Sequence, residues 1–108
     1  MPYYMTQFSY TSDAVAALAK DPQDRSVGLA KAIEALGGRL VAFYYCLGEF
    51  DGVAICEMPD SVAELSVVLA AVAPGHVGAI RTTALLTVEE AMAAMKTAGA
   101  MVYKAPGE

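Results

Sequence analysis

The sequence predicts an α+β fold in which a four-stranded antiparallel sheet carries its helices on one face. Three observations point there. Strand-like and helical stretches follow one another in the order β-α-β-β-α-β, with a further helix at the C-terminal end. Gly48, Asp51 and Gly52 separate two apolar runs, Leu40 to Leu47 and Val53 to Met58, which is hairpin chemistry. Ser61 with Glu64, and Thr87 with Glu90, both have the spacing of a helix-opening capping box. This order of elements is the split βαβ, ferredoxin-like arrangement.

Each element has its own signal. Tyr3 to Tyr10 is aromatic and β-branched with partial alternation, a first strand. Ser12 and Asp13 cap a short Ala-rich helix over Ala14 to Lys20. Asp21-Pro22 opens the next helix, with Asp as cap and Pro at its first position. Leu29, Ile33 and Leu36 form its apolar stripe, Arg25, Lys31 and Glu34 lie largely opposite, and Gly37-Gly38 ends it. Arg39 to Leu47 and Val53 to Met58 are strands two and three. Pro59 stops the ladder, and Asp60 or Ser61 caps a helix reaching about Ala73 with Val62, Leu65, Leu69 and Val72 as its inner stripe. Pro74-Gly75 breaks that helix, and His76 to Leu86 is the fourth strand. Val88, Ala91, Met92 and Met95 make the apolar face of a last helix ending near Gly99, after which Met101 to Tyr103 either adds a short strand or packs down.

Composition narrows partners and place. The 108 residues read as one domain over 1–108, and 56% of them are hydrophobic, high for a monomer with water on every side. No apolar run approaches the roughly 20 residues of a membrane helix, and Gln7, Ser9 and Thr11 interrupt any signal-peptide pattern, so the expected location is cytoplasmic. Twelve acidic against seven basic residues give a net charge of −5 without a basic cluster, which argues against nucleic-acid binding. Strand two, Leu-Val-Ala-Phe-Tyr-Tyr-Cys-Leu, does not alternate, so both faces of the sheet call for cover and helices supply only one. A second copy of the chain, as a homodimer or higher homo-oligomer, is the expected partner on the other face.

With these elements placed, the chain resembles the GYD-domain family, named for a Gly-Tyr-Asp in the central hairpin. The motif stands as Gly48-Glu49-Phe50-Asp51, with Phe50 where the family has tyrosine. The likeness includes Tyr10-Thr11, Arg25, Gly37-Gly38 leading to Tyr44-Tyr45, Leu47-Gly48, Glu57-x-Pro59-Asp60 and Arg81-Thr82. The resemblance implies a dimeric α+β barrel, two ferredoxin-like subunits packed sheet to sheet. It implies no single activity, since the wider superfamily holds cofactor-free monooxygenases, decarboxylases, haem-handling enzymes and ligand-sensing modules.

The residues that carry chemistry are few. His76 is the sole histidine, which rules out a multi-histidine metal site within one chain and leaves a proton shuttle, a haem ligand or an exposed loop side chain. Glu57 and Arg81 are charges in otherwise apolar strands; with Gln7 between them they would form a polar centre that binds a ligand or raises the glutamate pKa for proton transfer. The plainer account is a structural ion pair or a dimer contact. Of Tyr44 and Tyr45, which point to opposite faces, Tyr45 is the ligand-binding candidate. Cys46 and Cys56 sit on the two hairpin arms and read as reduced core thiols. Met1-Pro2 admits an N-terminal proline base of the tautomerase kind, although the hairpin motif differs. The residues call for no cofactor and no metal. The expected function is a homodimeric module that binds a small apolar or aromatic molecule, or acts through assembly. The alternative is a cofactor-independent monooxygenase, decarboxylase or isomerase on a small aromatic or polyketide-like substrate, with His76, Glu57 and Arg81 as its catalytic candidates.

Overall fold

The structure, a computed structural model, describes residues 1–107. Its elements are β1 (Tyr3–Tyr10), α1 (Ser12–Lys20), α2 (Arg25–Ala35), β2 (Arg39–Tyr45), β3 (Gly52–Glu57), α3 (Ser61–Val72), β4 (Val77–Leu85) and α4 (Val88–Gly99). The strands form one antiparallel sheet in the order β2-β3-β1-β4, which is the ferredoxin-like topology. Helices α2 and α3 cover the face that carries Tyr4, Thr6, Phe8 and Tyr10.

Local chemistry sets the helix ends. Thr11, not Ser12 or Asp13, caps α1 by accepting from the Ala14 N–H. Asp24 caps α2 through the Ser26 N–H, so that helix begins three residues beyond Pro22, and Asp21 instead closes α1. At the far end of α2 the Gly37 N–H reaches the Glu34 carbonyl and the Gly38 N–H reaches the Ile33 carbonyl. This Schellman closure places Gly37 at φ +84°, where a glycine is unstrained. The Thr87–Glu90 capping box forms on α4. The expected Ser61–Glu64 box does not: Asp60 caps α3, the Ser61 hydroxyl bonds Tyr4 Oη at 3.0 Å, and the Glu64 side chain turns inward.

Two irregularities re-phase the sheet. The β2–β3 register shifts between Leu40 and Ala42, so Leu40, Phe43 and Tyr45 all face the helices while Ala42 and Tyr44 face away. That bulge at Val41 is why the strand-two sequence fails to alternate. A second shift, between Ser9 and Tyr10 of β1, lies where β4 begins.

The core fills one half of the space between sheet and helices. Tyr4, Ile33, Cys56 and Met58 are buried together, with Leu29, Leu40, Ala63 and Val67 packed on them. α3 presents Ala63, Glu64, Val67 and Val68 inward, whereas the stripe expected to be inner, Val62, Leu65, Leu69 and Val72, is exposed. The apolar face of α4 is exposed as well, with Val88, Met92 and Met95 all more than 60% accessible. Met101 to Tyr103 forms no strand and is also exposed. α4 leaves the body as an arm, and the radius of gyration of 17.7 Å exceeds the roughly 13 Å of a compact chain this long.

Candidate functional site

The other half of the space under the helices is a cavity of about 320 Å³. Its floor is the sheet, with Thr6, Phe8, Phe43, Ala54, Cys56 and Ile80; its roof is α2 and α3, with Leu29, Ile33, Val67 and Ala71. Small and apolar residues at Gly28, Ala32, Val68 and Ala71 leave the space open by giving the helices little side-chain volume to fill it. One carboxylate stands deep in this lining: Glu64, only 5% exposed. The Thr6 hydroxyl donates to its Oε1 at 3.3 Å and the Cys56 thiol to its Oε2 at 3.3 Å. Thr6 and Thr82 hydroxyls are 3.1 Å apart, and since Thr6 has a single proton to give Glu64, Thr82 donates to Thr6. Burial, followed by the charge of Glu64, pushes the Cys56 thiol up to about 12, so it is a protonated donor and not a nucleophile.

At the mouth lie Tyr10, Asp24, Arg25 and His76, and a second cleft of about 360 Å³ adjoins there beneath α1, sharing Tyr10, Arg25 and His76. Burial and then the hydrogen bond with Tyr45 push the Tyr10 phenol up to about 12. His76 is exposed, and its carbonyl accepts from the Thr11 N–H. Tyr45 is also on this side of the sheet, its ring 5.3 Å from that of Phe43.

The opposite, open face holds the remaining candidates but does not gather them. Gln7 pairs with Arg81 across β1 and β4, whereas Glu57 pairs with Tyr3 and Arg39. Tyr3 and Gln7 are four residues apart, so Glu57 and Arg81 are separated by about 13 Å along the strands and about 10 Å across them. No side chain closes that gap, and the expected polar centre does not exist. Glu57 instead forms an ion pair with Arg39, whose guanidinium holds its carboxyl below the usual glutamate range. This is the reverse of the raised pKa that proton transfer would use. The Arg81 guanidinium lies 5.5 Å from the centre of the Phe50 ring. Between these two charged ends run Met5, Ala42, Tyr44, Val53 and Ile55, an apolar surface on the sheet.

Compared with known protein families, residues 4–95 match the GYD domain. The chain belongs to the GYD-domain family. Among curated proteins none matches it. Among solved structures it is similar to MtbAldR (Rv2779c), at 15% identity and a TM-score of 0.58 over 80% of this chain, and it spans about half (52%) of that one. It is also similar to TTHA0845 from Thermus thermophilus, at 19% identity and a TM-score of 0.54, covering 82% of this chain and 96% of that one. At these identities the likeness is one of fold.

The geometry gives the GYD hairpin a physical account. Asp51 latches the turn to β1: its Oδ2 accepts from the Tyr10 N–H at 2.8 Å, and its own N–H donates to the Phe8 carbonyl at 2.8 Å. The Cys46 N–H closes the loop onto the Asp51 carbonyl. Phe50 needs no phenol for its contact with Arg81, which the ring face alone provides. Gly52 lies directly under the Phe8 ring, where a Cβ would stand 2.3 Å from Cζ. Glu64, the central polar residue of the cavity, escaped the sequence reading because its position also fits a helix cap.

Proposed function

We propose that this GYD domain is a homodimeric, cytoplasmic small-molecule-binding module that holds a compact, mainly apolar molecule between its sheet and its helices. The observation that carries the reading is the 320 Å³ cavity, lined by Phe8, Phe43, Ile80 and Val67 and entered past His76. Binding is favoured over catalysis because the groups that would have to react are held back. The Cys56 thiol and the Tyr10 phenol are both pushed up to about 12. Glu57 lies on the far side of the sheet, tied to Arg39. Of the catalytic and ligand-binding candidates named from the sequence, His76 alone lines the cavity; Gln7 and Arg81 belong to the open face.

The open face supports the dimer. A sheet surface of Met5, Ala42, Tyr44, Val53 and Ile55 is the kind of patch that two copies bury together, and a stable pair buries about 1,600 Å² in total. Light scattering at micromolar concentration is expected to give twice the chain mass, and a folded monomer would reject the dimer. For the cavity, toluene titrated into ¹⁵N-labelled protein is expected to shift the amides of Phe8, Phe43, Val67 and Ile80. Val67→Phe, which fills the space, is expected to abolish those shifts. Shifts confined to other surfaces would overturn the reading.

A further inference from the structure

We propose that the cavity is built for a cation: a primary or secondary ammonium on a compact hydrocarbon or aromatic body, with Glu64 as its counter-ion. This rests on the cavity being the binding site. Its argument is the state of the Glu64 carboxylate, which lines the cavity at 5% exposure. Each of its oxygens receives one neutral donor at 3.3 Å, a hydroxyl at Oε1 and a weakly donating thiol at Oε2. Two carboxylate oxygens offer about four acceptor sites, so half remain open. Among the described residues no cation is within ion-pair distance of it, the one salt bridge being that of Arg39 with Glu57 on the other face. A carboxylate this deep is ordinarily paired, because neutral donors replace only part of its lost hydration.

The surroundings of Glu64 supply two donors and the positive end of a helix, and leave acceptor capacity for an occupant. It sits in the first turn of α3, where the helix's positive end favours an anion. The chain Thr82 to Thr6 to Glu64 runs its protons toward the carboxylate and so presents an acceptor, not a donor, to the cavity. The remaining charged groups of the lining, Asp24 and Arg25, stand at the mouth and offset each other, so the cavity's net charge is that of Glu64. An ammonium supplies the missing donors and the missing charge together, and its apolar body meets Phe8, Phe43, Val67 and Ile80. An anionic ligand would meet a buried like charge.

The test compares benzylammonium with benzyl alcohol, two probes of one shape, by NMR titration of the full chain. Benzylammonium is expected to bind about tenfold or more tightly than the alcohol, as close buried charge pairs require. The amides of Thr6, Cys56 and Glu64 should shift. Glu64→Gln is expected to bring the ammonium down to about the level of the alcohol in the same variant. Equal affinities for the two probes in the wild-type cavity, or a preference that survives Glu64→Gln, would overturn the ammonium assignment and leave the cavity as a site for neutral molecules. Failure of both probes to shift any cavity amide would overturn the binding reading as well.

Discussion

Gly52→Ala tests whether the hairpin, Phe8 and the cavity form one mechanical unit. The added methyl would stand 2.3 Å from Phe8 Cζ and 2.9 Å from both Cε atoms. Carbon atoms rest near 3.5–4.0 Å apart, so the ring tip must retreat by about 1.5 Å. Phe8 is 8% exposed and is flanked by Tyr10, edge-on at 5.4 Å, and Phe43 at 5.8 Å, which leaves the cavity as the direction of least resistance. Overpacking of this kind costs about 1–3 kcal/mol. In a chain of this size each kcal/mol lowers Tm by about 4–8 °C. In a Phe8→Ala background, itself about 3–5 kcal/mol less stable, the methyl has nothing to strike. There Gly52→Ala is expected to be neutral or to recover about 0.4–1 kcal/mol by restricting the unfolded chain. Urea unfolding of the four proteins at one protein concentration gives the cycle, and toluene titration should show weakened binding in Gly52→Ala alone. A Gly52→Ala change within about 0.5 kcal/mol of neutral, or of equal size in both backgrounds, would refute the reasoning.

Further outcomes follow from single contacts. Asp51→Ala removes a charge-assisted bond to the Tyr10 N–H and is expected to cost about 1.5–3 kcal/mol in chemical denaturation, with Asp51→Asn losing roughly half as much. In a double-mutant cycle Glu57→Gln and Arg39→Met should be non-additive, whereas Glu57→Gln and Arg81→Met should add, because only the first pair is in contact. Native protein should take up iodoacetamide at half-buried Cys46 and at Cys56 only after unfolding. The two thiols are separated by about 17 Å of ladder, so intact mass should show no internal disulfide. At alkaline pH, folded protein keeps the Cys56 proton that the unfolded chain releases near pH 9, since the folded thiol is raised to about 12. That stabilisation is full below about pH 9 and falls through about pH 12 at up to 1.4 kcal/mol per pH unit, and Cys56→Ala should flatten this limb of the stability curve.

The fold was legible in the sequence because its signals are local. Thr87 and Glu90 cap the helix they open, Gly37-Gly38 closes α2, and Gly48 to Gly52 turn the chain between β2 and β3. What failed was whatever depends on register or on the choice between two similar faces. Glu57 and Arg81 looked like partners because strand order was readable, but the four-residue offset between Tyr3 and Gln7 is fixed only by the ladder. α3 is apolar nearly all round, so its periodicity could not decide between Leu65 and Leu69 on one side and Val67 and Val68 on the other. Glu64 obeyed a capping rule in sequence and a packing demand in space, and the packing demand won. The Val41 bulge turned an apparently two-faced strand into an ordinary one with an inserted residue.

In the proposed dimer the projecting arm ties folding to abundance. α4 and the tail after it hold Val88, Met92, Met95, Met101 and Tyr103 in water, away from the body that precedes them. Side chains of that kind gain nothing for an isolated chain, and they gain a great deal once a second copy covers them. In the proposed dimer, unfolding and dissociation become a single equilibrium, and protein concentration enters it as a reactant. Each tenfold dilution then removes about 1.4 kcal/mol from the pair. For such a dimer, the amount of this chain that a cell makes becomes a determinant of how much of it is folded.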